Sequence, residues 1–427
     1  MSRVTSFSAG ESALASTAGR SCHEGAFAPD QQHQLHVSKM STTILKQGMS
    51  RFSFTGGIMW RTSAPSLIVT CVLAVAASTV VRGQSPILPG QAVPPNLSVS
   101  TVPANGDLNP YGVAFVPAGF PPGGPLPGDI LVSNFNASSN LQGTGTTIVR
   151  IDPGGGQSLF FQGPAGLGLT TALGVLKSGF VLVGNLPTTT PSATCTSTPS
   201  QIEHGVGQGS LLILDQHARL IGTLKNRQFL NGPWDLTVND SGTTAQVFVS
   251  NALSATVTRL DLQVNARGQL AVVRVTQIAS GYAHRCDPAA LVVGPTGLAL
   301  DPNSGALYVA STGDNAIFVV PNATTATGDQ GRGTVFIGDA LHLHGPLGLA
   351  LAPNGHLVTS QGDAVNAKPN LPSEIVEYDT NGQFVAQRSI NVAPGSAFGL
   401  AFGSSDNTLR FAAVDDAQNV LDIWFLP

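Results

Sequence analysis

The sequence of 427 residues predicts an all-β fold, a six-bladed β-propeller closed by an N-terminal outer strand. Three observations support this prediction. A short motif around a small residue recurs six times, further alternating apolar strands follow each copy, and one more strand-like segment precedes the first copy. A sheet of three or four strands cannot bury both of its faces alone, whereas sheets packed radially around one axis bury each other.

The repeat is clearest in its fourth copy, GPTGLALDPNSGALYVASTGDNAIFVV, from Gly294 to Val320. Apolar and small residues alternate over three stretches, and the turn-forming runs DPNSG and GDN separate them. The spacings between successive motifs are 62, 61, 62, 51 and 51 residues, which predicts six blades. The aligned motif positions are Gly112, Gly174, Asp235, Gly297, Gly348 and Gly399.

Ring closure requires a strand from outside the repeats, because the sixth copy contains three predicted strands rather than four. The segment NLSVSTV, residues 96–102, is the one strand-like stretch before the first copy. We therefore predict that it forms the outer strand of the last blade. Residues up to about Gln84 are expected to be dispensable for folding.

The motif PTGLALD, followed by GALYVAS and DNAI, resembles the NHL repeat over about residues 96–427. The resemblance implies a propeller and, through propeller enzymes of similar fold, two kinds of metal site. Peptidyl-hydroxyglycine lyases bind zinc through histidines, and lactonases bind a divalent cation through Glu, Asn and Asp. The chain departs from the NHL pattern where an Asp usually ends the second strand; the residues found there are Asn134, Asn185, Asn251, Ser311 and Gln361.

The first 83 residues differ in composition from the repeats. A polar, Ser-rich stretch without periodicity is followed by Arg61 and a 15-residue apolar run, Leu67–Val81, which is the layout of a secretory signal peptide. A signal anchor is the alternative. We expect a secreted or periplasmic protein with no stable membrane span after signal removal. The predicted organisation is a leader (1–58) that is disordered or results from a wrongly assigned start codon, a signal peptide (59–83), a linker (84–95) and the propeller (96–427).

The charge balance disfavours one class of partner. The whole chain has 20 Lys and Arg against 24 Asp and Glu, and seven of the bases but three of the acids lie in residues 1–83. The remaining 13 bases and 21 acids give a net charge of −8. Nothing in this charge balance indicates a phosphate-binding surface, so nucleic acid is disfavoured as a partner. A protein or glycan ligand is the candidate partner.

Two cysteines lie in loops that the propeller topology places on one face. Cys195 is in the long loop after the second strand of the second repeat, and Cys286 precedes the fourth repeat. An exported chain permits a disulfide between them, which would contribute about 2–4 kcal/mol. Whether the two are bonded stays open at this stage.

Histidines on the same face are candidate metal ligands. His284, His342 and His344 come from loops of different blades, and Zn²⁺ accepts three imidazoles and a water. Zinc is the candidate cofactor at these histidines, and calcium is the candidate at a lactonase-like site with oxygen ligands. Solvated loop histidines are the alternative.

Five further residues are candidate ligand-binding positions: Trp234, Asp235, Tyr282, Arg285 and Asp363. Asp235 places a carboxylate where the other repeats have glycine, so it either contacts a ligand or accepts hydrogen bonds from the backbone of the adjacent blade. We expect an exported binding module for a protein, glycan or small ligand on the loop-rich face. The alternative is a metal-dependent lyase or lactonase with a site at the channel mouth.

Overall fold

The computed structural model describes residues 85–188, 206–287, 290–368, 370, 374–393 and 395–427. The predicted leader and signal peptide, and Cys195, lie outside these ranges. Regular structure in the described part is β-strand throughout. This part contains no helix long and apolar enough to cross a membrane.

The strands form six four-stranded antiparallel sheets, the blades of a six-bladed propeller, as predicted. Blade 1 contains β2 (Leu108–Phe115), β3 (Ile130–Asn136), β4 (Thr147–Ile151) and β5 (Gln157–Gln162). Blade 2 contains β6 (Leu169–Val175), β7 (Phe180–Asn185), β8 (Ser210–Asp215) and β9 (Leu220–Leu224). Blade 3 contains β10 (Pro233–Asp240), β11 (Thr244–Asn251), β12 (Thr256–Val264) and β13 (Leu270–Ser280).

A two-stranded hairpin, β14 (Arg285–Asp287) and β15 (Leu291–Val293), separates the third blade from the fourth. Blade 4 contains β16 (Pro295–Leu300), β17 (Leu307–Ser311), β18 (Ala316–Val320) and β19 (Thr334–Ile337). Blade 5 contains β20 (Pro346–Leu351), β21 (Leu357–Gln361), β22 (Glu374–Tyr378) and β23 (Phe384–Ser389). Blade 6 contains β24 (Ala397–Ser405), β25 (Thr408–Asp415), β26 (Val420–Leu426) and, as its outer strand, β1 (Leu97–Ser100).

The pairing of β1 with β26 closes the ring and confirms the predicted origin of the outer strand. The register runs antiparallel from Leu97 opposite Ile423 to Ser100 opposite Val420. Side chains of blade 1 and blade 6 then pack face to face in one buried cluster. Because each blade buries its faces against its neighbours, the hydrophobic core lies between blades rather than within any one of them.

The motif glycines lie where the innermost strands approach the next blade most closely. A Cβ on Gly297 would lie 2.5 Å from the amide nitrogen of Leu349, and one on Gly112 would lie 2.9 Å from the carbonyl oxygen of Thr171. A side chain at Gly112 or Gly297 would therefore collide with the backbone of the neighbouring innermost strand, which explains the glycine in these blades.

The alignment of Gly174 with this position is wrong. In blade 2 the innermost strand has one more residue between its paired positions than the other blades, with pairs at Leu169 and Leu173 instead of three residues apart. The residue before Leu173 is Ala172, and it takes the place of the motif glycine. Its Cβ is accommodated because the adjacent strand has Gly184 at the facing position, whose own Cβ would lie 2.6 Å from that of Ala172.

Candidate ligand-binding site

The channel of the propeller opens on the face where the innermost strands begin and the second strands end, here called the loop face. A cavity of about 310 Å³ lies at this opening and is here called the mouth cavity. It is lined by the first residues of innermost strands and by residues that follow second strands. The lining residues that matter most are Asn109, Tyr111, Trp234, Asp363, Phe398 and Asp416.

Aromatic rings from three blades meet at the mouth cavity. The ring of Tyr111 stacks on Phe398, with 4.5 Å between centroids, and on Phe135, with 4.7 Å. Trp234 meets Tyr111 edge to face at 5.8 Å. Tyr111 and Trp234 are almost completely buried. Together these rings provide a rigid apolar surface for a ligand.

The three lining aromatics share one position in the repeat. Tyr111, Trp234 and Phe398 each immediately precede the motif residue of their blade. The pairing register of the innermost strand shifts at this point in each of these blades, for example between Pro233 and Leu236. Such an irregularity re-aims side chains at the end of a strand. The repeat alignment therefore contained a signal for Tyr111 and Phe398, which the sequence interpretation did not use.

Two carboxyl groups reach the same cavity from blades 5 and 6. Asp363 follows β21 in a left-handed conformation, with φ of 51°, and its Oδ2 accepts a hydrogen bond of 3.2 Å from the amide of Gly395. Asp416 follows β25. Burial, and then the charge of Asp415, raises the pKa of Asp416 to about 7. Burial and the nearby charge of Asp416 raise the pKa of the Tyr111 hydroxyl.

The hairpin β14–β15 forms a wall of the mouth cavity. Val292 and Val293 line the cavity, and Cys286 and Val292 pack in the same buried cluster as Tyr111. Cys286 is disulfide-bonded. Since the described residues include no other cysteine, its partner lies outside them, as Cys195 does. The pairing of Cys286 with Cys195 remains a prediction.

Asp235 lies below the mouth, in the channel itself. Its Oδ1 accepts a hydrogen bond of 2.8 Å from the amide of Leu236, and its Oδ2 accepts one of 3.1 Å from Leu298 in the next blade. The carboxyl thus supplies an interblade hydrogen bond where other blades have backbone contact. The channel leaves part of its surface accessible, yet protein surrounds it, and this burial raises its pKa to about 8 against the opposing effect of the two donors.

The raised pKa of Asp235 predicts a pH-dependent contribution to stability. The folded protein keeps this proton up to about pH 8, whereas the unfolded chain releases it near pH 4, so stability from this group is lost as pH rises through that range. Relative to Asp235→Asn, the wild-type free energy of unfolding should fall by up to about 1.4 kcal/mol per pH unit between pH 5 and 8. Urea denaturation of both proteins at several pH values measures this slope, and parallel pH profiles would contradict the prediction.

Two other predicted ligand-binding residues lie away from the lining of the mouth cavity. Tyr282 is buried in the core between blades 3 and 4, and its hydroxyl donates a hydrogen bond of 3.2 Å to the carbonyl of Arg332. Arg285 is on the hairpin, about half exposed, and pairs with Asp287 at 3.3 Å. Trp234 and Asp363 are therefore the two predicted residues that the structure brings together at the cavity.

The three candidate metal-binding histidines have separate environments. His284 is exposed. His342 contacts Asp339, with 2.5 Å between Nδ1 and Oδ2, and stacks on Phe384. In the part of the chain that the structure describes, no three His, Cys, Asp or Glu side chains gather as a metal-binding group.

His344 is buried and faces Glu374, with 3.6 Å between Nε2 and Oε2. Its Nδ1 lies 2.8 Å from the carbonyl oxygen of Asn366, which accepts only, so Nδ1 carries a proton and Nε2 is the basic nitrogen. Burial lowers the pKa of His344, whereas burial and the charge of Asp363 raise the pKa of Glu374 to about 7. A neutral imidazole beside a neutral carboxyl group is the form that these shifts favour, and it suits a buried pair inside blade 5.

No known protein family and no curated protein matches the chain. Solved structures do match. The gluconolactonase XC5397 from Xanthomonas campestris aligns with a TM-score of 0.49 and 14% identity, over 81% of this chain and 99% of that chain. Regucalcin, a calcium-binding protein from Agrobacterium tumefaciens, gives 0.44 and 15%, over 77% and 94%. Virginiamycin B lyase from Staphylococcus aureus gives 0.40 and 14%, over 77% and 87%.

These similar structures are those of lactonases, lyases and a calcium-binding protein. A shared fold at such low identity does not transfer an activity, because function depends on the site. The function of this chain therefore has to be inferred from its own residues.

Proposed function

We propose that this protein is an exported β-propeller of NHL-like repeat pattern that binds a small organic ligand in the mouth cavity. The observation that carries the proposal is the convergence of three aromatic side chains and two carboxyl groups on one cavity of about 310 Å³. Ligand sites are typically concave and largely apolar, with a few placed polar groups, and have volumes of about 300–1,000 Å³. Of the ligand classes considered, a small ligand suits a cavity of this size better than a glycan chain or a protein surface.

Filling the cavity should abolish binding without unfolding the protein. Ala364 lines the mouth cavity, and Ala364→Trp would occupy its volume with an indole. A matched control is Ala266→Trp, because Ala266 is exposed in the turn between β12 and β13, on the face opposite the loop face. We expect a panel of sugars, lactones and amines to yield a ligand that stabilises the wild type and Ala266→Trp against heat but leaves Ala364→Trp unshifted. A ligand that stabilises all three equally would contradict the proposal.

A second candidate function, an enzyme that uses the same cavity, is favoured by the pKa of Asp416. A carboxyl group that titrates near pH 7 in a cleft is suited to donate and accept a proton at neutral pH. Lactone hydrolysis and eliminative ring opening are the reaction classes to test with any ligand found. Turnover that is lost in Asp416→Asn even at saturating ligand would favour the enzyme, and elemental analysis of the dialysed protein tests for a retained zinc or calcium.

A further inference from the structure

The charged side chains that line the mouth cavity are both acidic. Asp363 and Asp416 reach it from adjacent blades, and the lining residues within the described ranges include no Lys, Arg or His. Burial disfavours the ionised form of Asp416, and no basic side chain of the described lining offsets this effect, so the cavity is electrostatically suited to a positive charge. An anionic ligand would face the opposite field.

The described part of the chain offers the carboxyl group of Asp416 no compensating hydrogen-bond donor. Among the described residues, no hydrogen bond offsets the effects of burial and of the neighbouring Asp415 on its pKa. A cation beside it would stabilise the ionised form and supply the missing interaction. Asp416 is therefore a charge that the described residues leave uncompensated.

The aromatic rings add a second attraction for the same kind of ligand. Tyr111 and Phe398 stack on each other and line the cavity together with Trp234. The faces of such rings carry partial negative charge, and they attract ammonium groups within about 6 Å of the ring centroid. Aromatic surfaces next to carboxylates are thus complementary to an organic cation.

Two buried polar atoms on lining residues have no hydrogen-bond partner in the described structure. They are Nε1 of Trp234, a donor, and Oδ1 of Asn109, an acceptor, on side chains that are more than nine-tenths buried. An unpaired buried polar atom destabilises the folded state, because it has lost its hydrogen bonds to water without replacement. A ligand with a hydroxyl or carbonyl group beside its cationic centre would have hydrogen-bonding groups of the right kinds for both atoms.

We propose that the mouth cavity selects small organic cations that combine an ammonium group with a hydrogen-bonding substituent, an inference that rests on the proposed function. The ammonium group lies against the carboxylates of Asp363 and Asp416 and the rings of Tyr111 and Phe398. The substituent faces the polar atoms of Trp234 and Asn109. The ligand is thus expected to carry a positive charge and a hydrogen-bonding substituent, and simple probes can test both properties.

The test compares ammonium probes with neutral counterparts of the same shape by titration calorimetry on the purified full chain. Choline is paired with 3,3-dimethyl-1-butanol, and 2-phenylethylamine with 2-phenylethanol. We expect each cation to bind about 10-fold or more tightly than its neutral partner. Asp416→Asn and Asp363→Asn should each weaken cation binding by about 5–20-fold and leave neutral binding unchanged.

The two substitutions preserve shape. Asparagine tolerates the left-handed backbone of residue 363 and can still accept the hydrogen bond from Gly395. Asp406→Asn is the matched control for long-range charge effects. Asp406 is exposed, also has a positive φ of 50°, and lies in the turn between β24 and β25 on the face opposite the loop face. It should leave all four affinities unchanged.

The outcomes separate this inference from the proposed function. Neutral probes that bind as tightly as the cations, with binding lost in Ala364→Trp, would overturn the charge selection and leave a ligand-binding cavity. Probe binding that survives Ala364→Trp would overturn both. If neither cation binds at concentrations up to about 10 mM, the inference is wrong, since a weaker site would not discriminate ligands at useful concentrations.

Discussion

A chain that begins at Pro103 is expected to lose the cooperative unfolding transition, whereas a chain that begins at Gln84 keeps the full stability. The difference lies in β1, which supplies the outer strand of blade 6. Without it, β26 presents an unpaired hydrogen-bonding edge, and the contacts of Leu97 and Val99 with the cluster between blades 1 and 6 are lost. Strand pairing between the two chain ends then no longer closes the ring. This matters for the whole propeller, because the packing of each blade depends on its neighbours.

A third chain, which begins at Asn96, isolates the segment before β1. The amides of Ile87 and Leu88 donate hydrogen bonds of 2.9 to 3.0 Å to the carboxylate of Glu377. That carboxylate lies 2.5 Å from Nδ1 of His356, and both side chains are fully buried. Loss of the segment would leave this buried pair without its backbone donors.

The same segment also compensates a buried guanidinium. Arg388 donates hydrogen bonds to the carbonyls of Pro89, Gly90 and Val93 at 3.1, 2.7 and 2.8 Å, and its guanidinium lies over the ring of Trp424. Removing one side of a buried charged interaction costs about 3–5 kcal/mol. We therefore expect the chain that begins at Asn96 to fold cooperatively, but with a free energy of unfolding lower by about that amount.

Urea denaturation followed by circular dichroism, with size-exclusion chromatography of each form, measures the series. The chain that begins at Gln84 is expected to be as stable as the full chain. The chain that begins at Asn96 should be less stable, and the chain that begins at Pro103 the least stable. Equal stability of the Asn96 and Gln84 forms would show that the segment from residue 85 to 95 is only a tether. A Pro103 form with full stability would contradict closure by β1.

The repeat and its closure were predictable from the sequence because they depend on local patterns. Alternating apolar residues between turn residues determine strands whichever partner they meet, and six regular copies require a radial arrangement. The failure at Gly174 has a physical cause. The extra residue in β6 and the compensating Gly184 involve two strands at once, so neither can be recognised from the motif alone.

The sequence pattern could not determine the role of the asparagines that end the second strands. An asparagine at the end of a strand can supply a ligand to a cation or hydrogen-bond the backbone of a turn. In the structure, the side-chain amides of Asn134, Asn185 and Asn251 donate hydrogen bonds to the carbonyls of Thr101, Leu167 and Phe229, at 3.0, 2.8 and 3.1 Å. Each of these carbonyls belongs to the segment that leads into an innermost strand. The asparagines therefore tie each incoming segment to its blade.

The candidate site was only partly predictable because its residues come from different blades. Trp234 and Asp363 stood out by residue type and loop position. Tyr111, Phe398 and Asp416 looked like ordinary strand and turn residues, and what makes them functional candidates is their meeting at one opening. That proximity arises from ring closure, which brings blade 6 back to blade 1.

The substitution Gly399→Ala tests this closing contact directly and is expected to destabilise the protein by about 3 kcal/mol or more. The added methyl group would overlap the carbonyl oxygen of Tyr111 in blade 1 and lie 3.2 Å from Cγ2 of Val113. The obstacle is backbone, which cannot rotate away as a flexible side chain can. Relief requires blade 6 and blade 1 to separate, which also disturbs the stacking of Tyr111 on Phe398 in the mouth cavity.

A matched control is Gly222→Ala in β9, another glycine in a strand, where the nearest atoms to the new methyl are those of the Ile213 side chain, with Cδ1 at 3.4 Å. This is an ordinary van der Waals contact at the tip of a side chain, so we expect a change of less than about 0.5 kcal/mol. Urea denaturation compares the two variants, and tryptophan emission reports on Trp234 next to the affected ring stack. If Gly399→Ala were as stable as Gly222→Ala, the two blades would not be in direct backbone contact at Tyr111, and the proposed geometry of the cavity would have to be revised with it.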